Sequence, residues 1–295
     1  MLKQLYRLAV IRLARPYVRR ELPGWGVIYR WLVGSHRRDW LWEGERERWT
    51  RGKLHGHEMS LRIAGWSNRA TFFLERFYDL PTQLLLQREL HEGDTFLDVG
   101  ANEGMMTLVA SQVVGRTGKV IACEPNPIPR GILDRNLQRN RISNVELHGV
   151  GLGDKAGELQ LFVPRVNTGE GSFTAPRNAK AGEYWLCAVR TGDDLVADRR
   201  PRLIKIDVEG FEAHVLRGLR NTLKRDRPII VMEMIAQHLA RDGQDPRDLC
   251  QWLSIHGYEG RRLALKGRRE FRTEPIGVTW QDGDYVFRHR QEQSG

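Results

Sequence analysis

Acids at the ends of strand-like runs, with glycines close behind them, mark where this chain could do chemistry. The run Phe96-Leu97-Asp98-Val99-Gly100-Ala101-Asn102-Glu103-Gly104-Met105 reads as a strand, a loop with glycines four residues apart, and the start of a helix. Glycines there permit a tight turn and let the backbone approach a ligand closely. A second strand ends in Cys123-Glu124-Pro125-Asn126-Pro127, and an acid at such a position can accept both hydroxyls of a ribose. A nicotinamide or flavin cofactor needs Gly-x-Gly-x-x-Gly, so that its pyrophosphate can sit on the helix N-terminus. This chain has Asp98-x-Gly100-x-x-x-Gly104 instead. A carboxylate repels a pyrophosphate but attracts the ammonium and sulfonium of S-adenosylmethionine, so charge favours the methyl donor. The plainer alternative is a loop whose glycines only make the turn.

Two later strand ends carry acids as well. Lys205-Ile206-Asp207-Val208-Glu209-Gly210 is one, and Pro228-Ile229-Ile230-Val231-Met232-Glu233, with His238 five residues on, is the other. Ligands of open parallel sheets lie beyond the carboxyl ends of the strands, which puts Asp98, Glu124, Asp207 and Glu233 on one rim. Methyl transfer from a sulfonium is an in-line displacement with an activated donor. Alignment of the reactants can supply roughly 7–11 kcal/mol. A base that takes the proton of an alcohol acceptor typically adds about 10²–10⁴-fold. Asp207, Glu209, Glu233, His214 and His238 are the candidate bases. Asp207 and Glu233 stand at strand ends and lead the list, with His238 beside them as the expected catalytic set. His214 reads more simply as packed or solvated on the next helix. Asp207 and Glu233 could instead hold magnesium or another divalent metal that acidifies the acceptor hydroxyl, and Asp207 could merely cap a helix. The chain has no Asn/Asp-Pro-Pro-aromatic stretch after the fourth core strand, which favours oxygen as the acceptor atom.

The elements that must position these groups alternate along the chain. Strand patterns occupy 95–99, 119–123, 145–150, 202–206 and 228–232, separated by helical patterns near 104–114, 128–140 and 211–224. Such alternation implies a mostly parallel sheet with helices on both faces. Residues 157–190 interrupt the rhythm with two further strands, Glu158–Val163 and Trp185–Val189, around a Gly-rich loop at Asn167–Ser172. Upstream, 57–63 alternates like a strand, Gly65–Asn68 suggests a turn, and Pro81 opens an apolar helix ending near Leu90.

The ordered blocks Leu97–Gly104, Glu124–Pro127, Gly151–Gly157 and Leu203–Gly210 resemble the FkbM-type S-adenosylmethionine-dependent methyltransferases over roughly residues 57–240. These are small-molecule O-methyltransferases with a Rossmann-like class I fold, and some act on sugars. The resemblance implies that Asp98, Gly100, Asn102 and Gly104 line the methionine end of the donor. It also implies that Glu124 holds the ribose with Asn126 near it, and that Leu152 and Asp154 lie near the adenine. Glu103 departs from the family pattern, which has a small apolar residue there, and it adds a charge near the pocket. The resemblance thus implies O-methylation of a hydroxyl on a sugar, glycan or related natural product.

Composition sets the outer bounds. The 295 residues are 40% hydrophobic and 28% charged, with net charge +10, as in an ordinary globular protein able to bury a large core. Three scattered cysteines argue against a disulfide framework or a structural zinc site. No apolar run approaches the roughly 18 residues of a spanning helix, and Arg12 interrupts the only signal-like stretch, so a cytoplasmic protein is expected. Residues 1–66 hold 14 Lys/Arg against 6 Asp/Glu, and six of the nine tryptophans. On helical spacing Leu2, Leu5, Tyr6, Ala9, Val10 and Leu13 share a face, and Pro16 ends the pattern. That basic helix either packs on its own domain or meets an anionic membrane surface or a partner chain. The expected organisation is an N-terminal basic helical, Trp/Arg-rich extension over 1–53 and a Rossmann-like domain over 54–295. Two rival readings are an RNA-directed methyltransferase and a non-catalytic assembly protein; no DNA partner is expected. The arm could also serve as a homo-oligomer contact or a lid that stacks on sugar rings.

Overall fold

The computed structural model describes residues 2–164, 171–174, 182–267 and 269–292. Positions 167–170 of the expected Gly-rich loop lie outside them. The chain divides into two compact units, Met1–Leu80 and Pro81–Gly295. The boundary falls later than the expected 53/54, because strand β1 (Arg48–Arg51) pairs antiparallel with β2 (Glu58–Leu61) across that point.

The first unit opens with the helix Leu2–Val18, which runs through Pro16 and ends two residues later. It ends with the helix Trp66–Leu74, which begins where a turn was expected. Residues Arg69 to Leu74 are all buried, so this helix shows no amphipathic period to read from sequence. Arg69 is fully buried and donates to the carbonyls of Ala64 and Ser35 and, at 2.7 Å, to Asp39 Oδ1. A buried guanidinium needs such acceptors, and both of its terminal nitrogens have them.

The second unit is Rossmann-like. Its strands are β3 (Thr95–Val99), β4 (Lys119–Cys123), β5 (Val145–His148), β6 (Gly151–Gly153), β7 (Gly157–Pro164), β8 (Gly182–Thr191), β9 (Pro201–Ile206), β10 (Ile229–Met234), β11 (Tyr258–Lys266), β12 (Glu270–Pro275) and β13 (Gly283–His289). Among the described residues the main sheet runs β12-β11-β13-β10-β9-β3-β4-β5. Its β5-β4-β3-β9-β10 part is parallel, and β13 and β11 extend it by antiparallel pairing. A small sheet, β6-β8-β7, carries the two interrupting strands.

Period-two alternation buries both faces of the parallel part. Leu97, Val99, Ile121, Ile204, Ile206 and Ile230 share one core with Val215 and Leu216 of the next helix and Leu219 just after it. Phe96, Asp98, Val120, Leu203, Lys205 and Val231 occupy the alternate positions and are buried as well. The expected 211–224 helix is two helices, Glu212–Gly218 and Arg220–Asp226, because Leu219 leaves helical geometry at φ −104°, ψ 8°. The chain starts the sheet at β3, builds outward to β5, and crosses back to β9 on the other side of β3. That reversal opens a crevice at the carboxyl ends of β3 and β9, where open α/β sheets bind ligands.

Helix Leu80–Glu89 is tied to β13 by a two-pronged ion pair, Arg288 Nη2–Glu89 Oε1 at 2.8 Å and Nη1–Oε2 at 3.1 Å. Burial alone would raise the Glu89 carboxyl, but hydrogen bonds and charge from Arg288 and Arg88 hold it below the usual carboxylate range. A lowered folded-state pKa gives stability that is present above the ordinary carboxylate value and is lost as pH falls through the folded one. Glu89→Gln should therefore cost about 1 kcal/mol at pH 7 and much less near pH 3, measured by urea unfolding.

Candidate active site

At the end of β3 the chain must turn beneath the end of β9. Gly100 makes that turn at φ 80°, and a Cβ there would stand 1.8 Å from the Asp207 carbonyl oxygen. Only glycine lets the two strand ends approach so closely. Gly104, at φ 90°, then caps helix Met105–Val114, and a Cβ on it would meet Leu133. Asn102 between them also takes a left-handed conformation, φ 51°.

Glu124 joins this loop to the next one. Its Oε2 accepts the Asn102 backbone N–H and its Oε1 accepts the Asn126 backbone N–H, both at 2.8 Å. Asn126 uses its side chain to cap helix Pro127–Asn140 through Ile128 N–H. Burial pushes the Glu124 carboxyl up to about 7, against the lowering pull of those two N–H groups. Each of its oxygens keeps a second lone pair for a ligand hydroxyl.

Asp98 is fully buried. Thr107 Oγ1 donates to its Oδ2 at 2.6 Å, and its Oδ1 has no hydrogen-bond partner among the described residues. Burial raises its pKa, and the charge of Lys205 works against that rise. Lys205 is paired in register with Asp98, and its Nζ donates to Asp207 Oδ2 at 3.0 Å. The lysine itself is buried, and the charges of Asp207, Asp98 and Asp284 hold it firmly protonated against that burial.

On β10, Glu233 is paired in register with Asp284 of β13. The charge of Asp207, burial, and then Asp284 and Glu209 push the Glu233 carboxyl well above the usual carboxylate range. Glu209, left-handed at φ 54°, places Oε2 2.8 Å from His238 Nδ1, and this contact raises the His238 pKa. One ligand atom each from Glu209, Glu233 and His238 lies within 4.8 Å of the others, a spacing that would admit a divalent cation. Glu212, buried on the following helix, accepts the Gly210 N–H at 3.1 Å and holds that loop.

The expected residues thus fall into three groups. Asp98, Gly100 and Asp207 meet at the β3–β9 crossing, and Glu124 binds the Asn102 and Asn126 loops together. Glu233 and His238 gather with Glu209, a candidate base outside the expected catalytic set. Leu152 and Asp154 stand apart from these contacts. The Leu152 side chain is buried in the core, and Asp154 Oδ1 lies 3.1 Å from His214 Nδ1, whose Nε2 reaches Asp242 at 3.0 Å. Lys205 and Asp284 were missed. Lys205 lies within Leu203–Gly210, where a lone lysine two residues before a strand-end acid is the available signal; Asp284 gives none.

A family model described as the methyltransferase FkbM domain matches residues 98–259. The hexuronic acid methyltransferase AglP of Haloferax volcanii is 31% identical over 173 residues, covering 58% of this chain and 65% of that protein. Methyltransferase 1 of Beauveria bassiana is 28% identical over 168 residues, covering 50% of this chain and 64% of that one. The chain thus spans a little under two thirds of the length of these relatives. A solved FkbM methyltransferase from Methylobacillus flagellatus aligns with a TM-score of 0.45 at 21% identity, over 77% of this chain and 54% of that one.

The Glu124 geometry makes a prediction about stability. With a folded pKa near 7 against an ordinary value of 4.5, the folded state holds more protons than the unfolded state between those pH values. Stability should therefore fall as pH rises from 5 to 8. In Glu124→Gln that fall should be smaller, by up to about 3 kcal/mol. Urea unfolding at both pH values checks this, and parallel losses in the two proteins would contradict it.

Proposed function

This chain belongs to the FkbM methyltransferase domain family, and from that premise we propose that it carries a methyl group from S-adenosylmethionine to a hydroxyl of a sugar, glycan or related natural product. The observation that carries the proposal is the buried acid at the sheet's reversal point. Asp98 keeps one carboxylate oxygen without a partner among the described residues, which suits a cationic ligand and would repel a pyrophosphate. When bound, S-adenosylmethionine supplies an electrophilic methyl group on a sulfonium. Asp98, with the Gly100–Gly104 loop, would hold the methionine end, and Glu124 the ribose hydroxyls. Asn102 and Asn126 serve through their backbone N–H groups, which aim the Glu124 carboxylate. The Leu152–Asp154 segment would flank the adenine with its backbone and the Asp154 side chain.

Asp207, Glu233 and His238 would act on the acceptor. Glu233 has a high proton affinity because Asp207, Asp284 and Glu209 surround it with negative charge. A positive ligand on the same rim would offset that charge and free the carboxylate to accept the proton of the acceptor hydroxyl. Asp207, held by Lys205, fixes the acceptor side of the rim. The name of the Haloferax relative supports a sugar acid as acceptor class.

A second reading rests on the 4.8 Å cluster of Glu209, Glu233 and His238. A divalent metal there would acidify the hydroxyl, and Glu233 would serve as ligand instead of base, with Asp207 adjacent.

The test is methyl transfer from labelled S-adenosylmethionine to a panel of hexoses, hexuronic acids and their glycosides. An O-methyl ether should form, and Glu233→Gln should lower kcat by about 10²-fold or more. Activity that survives a chelator assigns Glu233 as base, whereas activity restored by magnesium after chelation assigns it as ligand. Methyl transfer to RNA, or to nitrogen alone, would overturn the proposal.

A further inference from the structure

The Leu2–Val18 helix turns its leucines outward. Its buried residues are Val10, Ala14 and Val18, spaced four apart on one side. At 100° per residue, Leu2, Leu5, Ala9, Leu13 and Pro16 fall within an arc of about 80° on another side. All five are exposed, Leu2 at 81%, Leu5 at 57% and Leu13 at 77%. The stripe expected from sequence therefore splits: its Val10 edge packs inward, while its Leu2–Leu13 edge faces solvent. Arg12 sits at the margin of that outer arc.

Contacts inside the same unit widen the apolar face. Lys3 Nζ lies 4.8 Å from the Trp40 ring centre, and the Tyr6 hydroxyl donates to the Leu32 carbonyl at 2.8 Å. Trp40, Leu32 and the neighbouring Trp31 are thereby held beside the first half of the helix, and all three are exposed. Single exposed apolar residues are ordinary on a soluble protein. A row of leucines joined to two exposed tryptophans marks an interaction surface.

We propose that this face of the Met1–Leu80 unit docks on an anionic phospholipid surface, with the helix lying in the interfacial plane. Charge selects the occupant. Residues 1–66 carry 14 Lys/Arg against 6 Asp/Glu. Arg12, Arg20, Arg30 and Arg37 are exposed and form no ion pair among the described residues. A second copy of the chain would bring this positive charge against itself. RNA would engage the arginines but offer the leucines nothing to bury in. An anionic bilayer serves both: lipid phosphates pair with the arginines, and the headgroup–acyl boundary receives Leu5 and Leu13. Tryptophans favour the headgroup level, where an apolar ring and an N–H are both accommodated. Among the described residues no helix is long and apolar enough to cross a membrane.

The test is co-sedimentation of the full chain with vesicles of phosphatidylcholine alone and of phosphatidylcholine with phosphatidylglycerol. The chain should partition onto the anionic vesicles and hardly at all onto the neutral ones. Replacing Leu5→Gln and Leu13→Gln together should weaken partitioning by about tenfold or more, with an unchanged melting curve, because both side chains are exposed. Arg12→Gln with Arg20→Gln should remove much of the preference for anionic lipid. Three results would overturn the proposal: no binding to anionic vesicles, binding indifferent to the leucine substitutions, or a dimer that those substitutions dissolve.

Discussion

Lys205 buries its ammonium among carboxylates, and the candidate site is built around that charge. It hydrogen-bonds Asp207, lies in register with Asp98, and is drawn as well toward Asp284. An ammonium taken out of water costs several kcal/mol unless anions receive it. Acids crowded at strand ends in turn repel one another unless a cation stands between them. Lysine and acids make one another tolerable, and the acids still outnumber it. The excess negative charge appears in the raised pKa of Glu233, led by the charge of Asp207, whereas at Asp98 burial does the raising and Lys205 works against it. A rim left short of positive charge would suit the cationic ligand proposed for it.

Topology explains why these groups meet. The sheet reverses between β3 and β9, and Gly100 lets the two strand ends pass at backbone contact distance. Glu124 then clamps the loop after β3 to the loop after β4 through two backbone N–H groups. The same carboxylate would serve structure and ligand, holding both loops while it waits for hydroxyls. Glu212 plays a comparable part beneath the loop after β9, where it accepts the Gly210 N–H. The loops of this site are thus fixed by buried acids in or next to them.

The parallel strands were legible because each is a short apolar run bounded by acids, glycines or prolines; 95–99 and 119–123 match residue for residue. The strands β11 to β13 were not legible. Sequences such as Tyr258-Glu259-Gly260-Arg261-Arg262-Leu263 carry too many charges to show an apolar face, and they form the antiparallel end of the sheet, where much of the side-chain surface meets water. The Trp66–Leu74 helix was hidden for the opposite reason, being buried all around. In the site, the glycines and strand-end acids stood out by type and spacing. Lys205 and the Glu233–Asp284 pair did not, because their roles arise only from cross-strand register. The outward leucines of the first helix show the same limit, since spacing defines a face but cannot say which way it turns.

The central claim is that the acidic rim binds S-adenosylmethionine, and titration calorimetry of that ligand against the wild-type chain and Asp98→Asn tests it most directly. One site per chain should appear in the wild type. The substitution keeps the side chain's shape and removes its charge, and it should weaken binding by about tenfold or more. A well-folded wild-type chain that takes up no S-adenosylmethionine, or an Asp98→Asn variant that binds it equally well, would contradict the account.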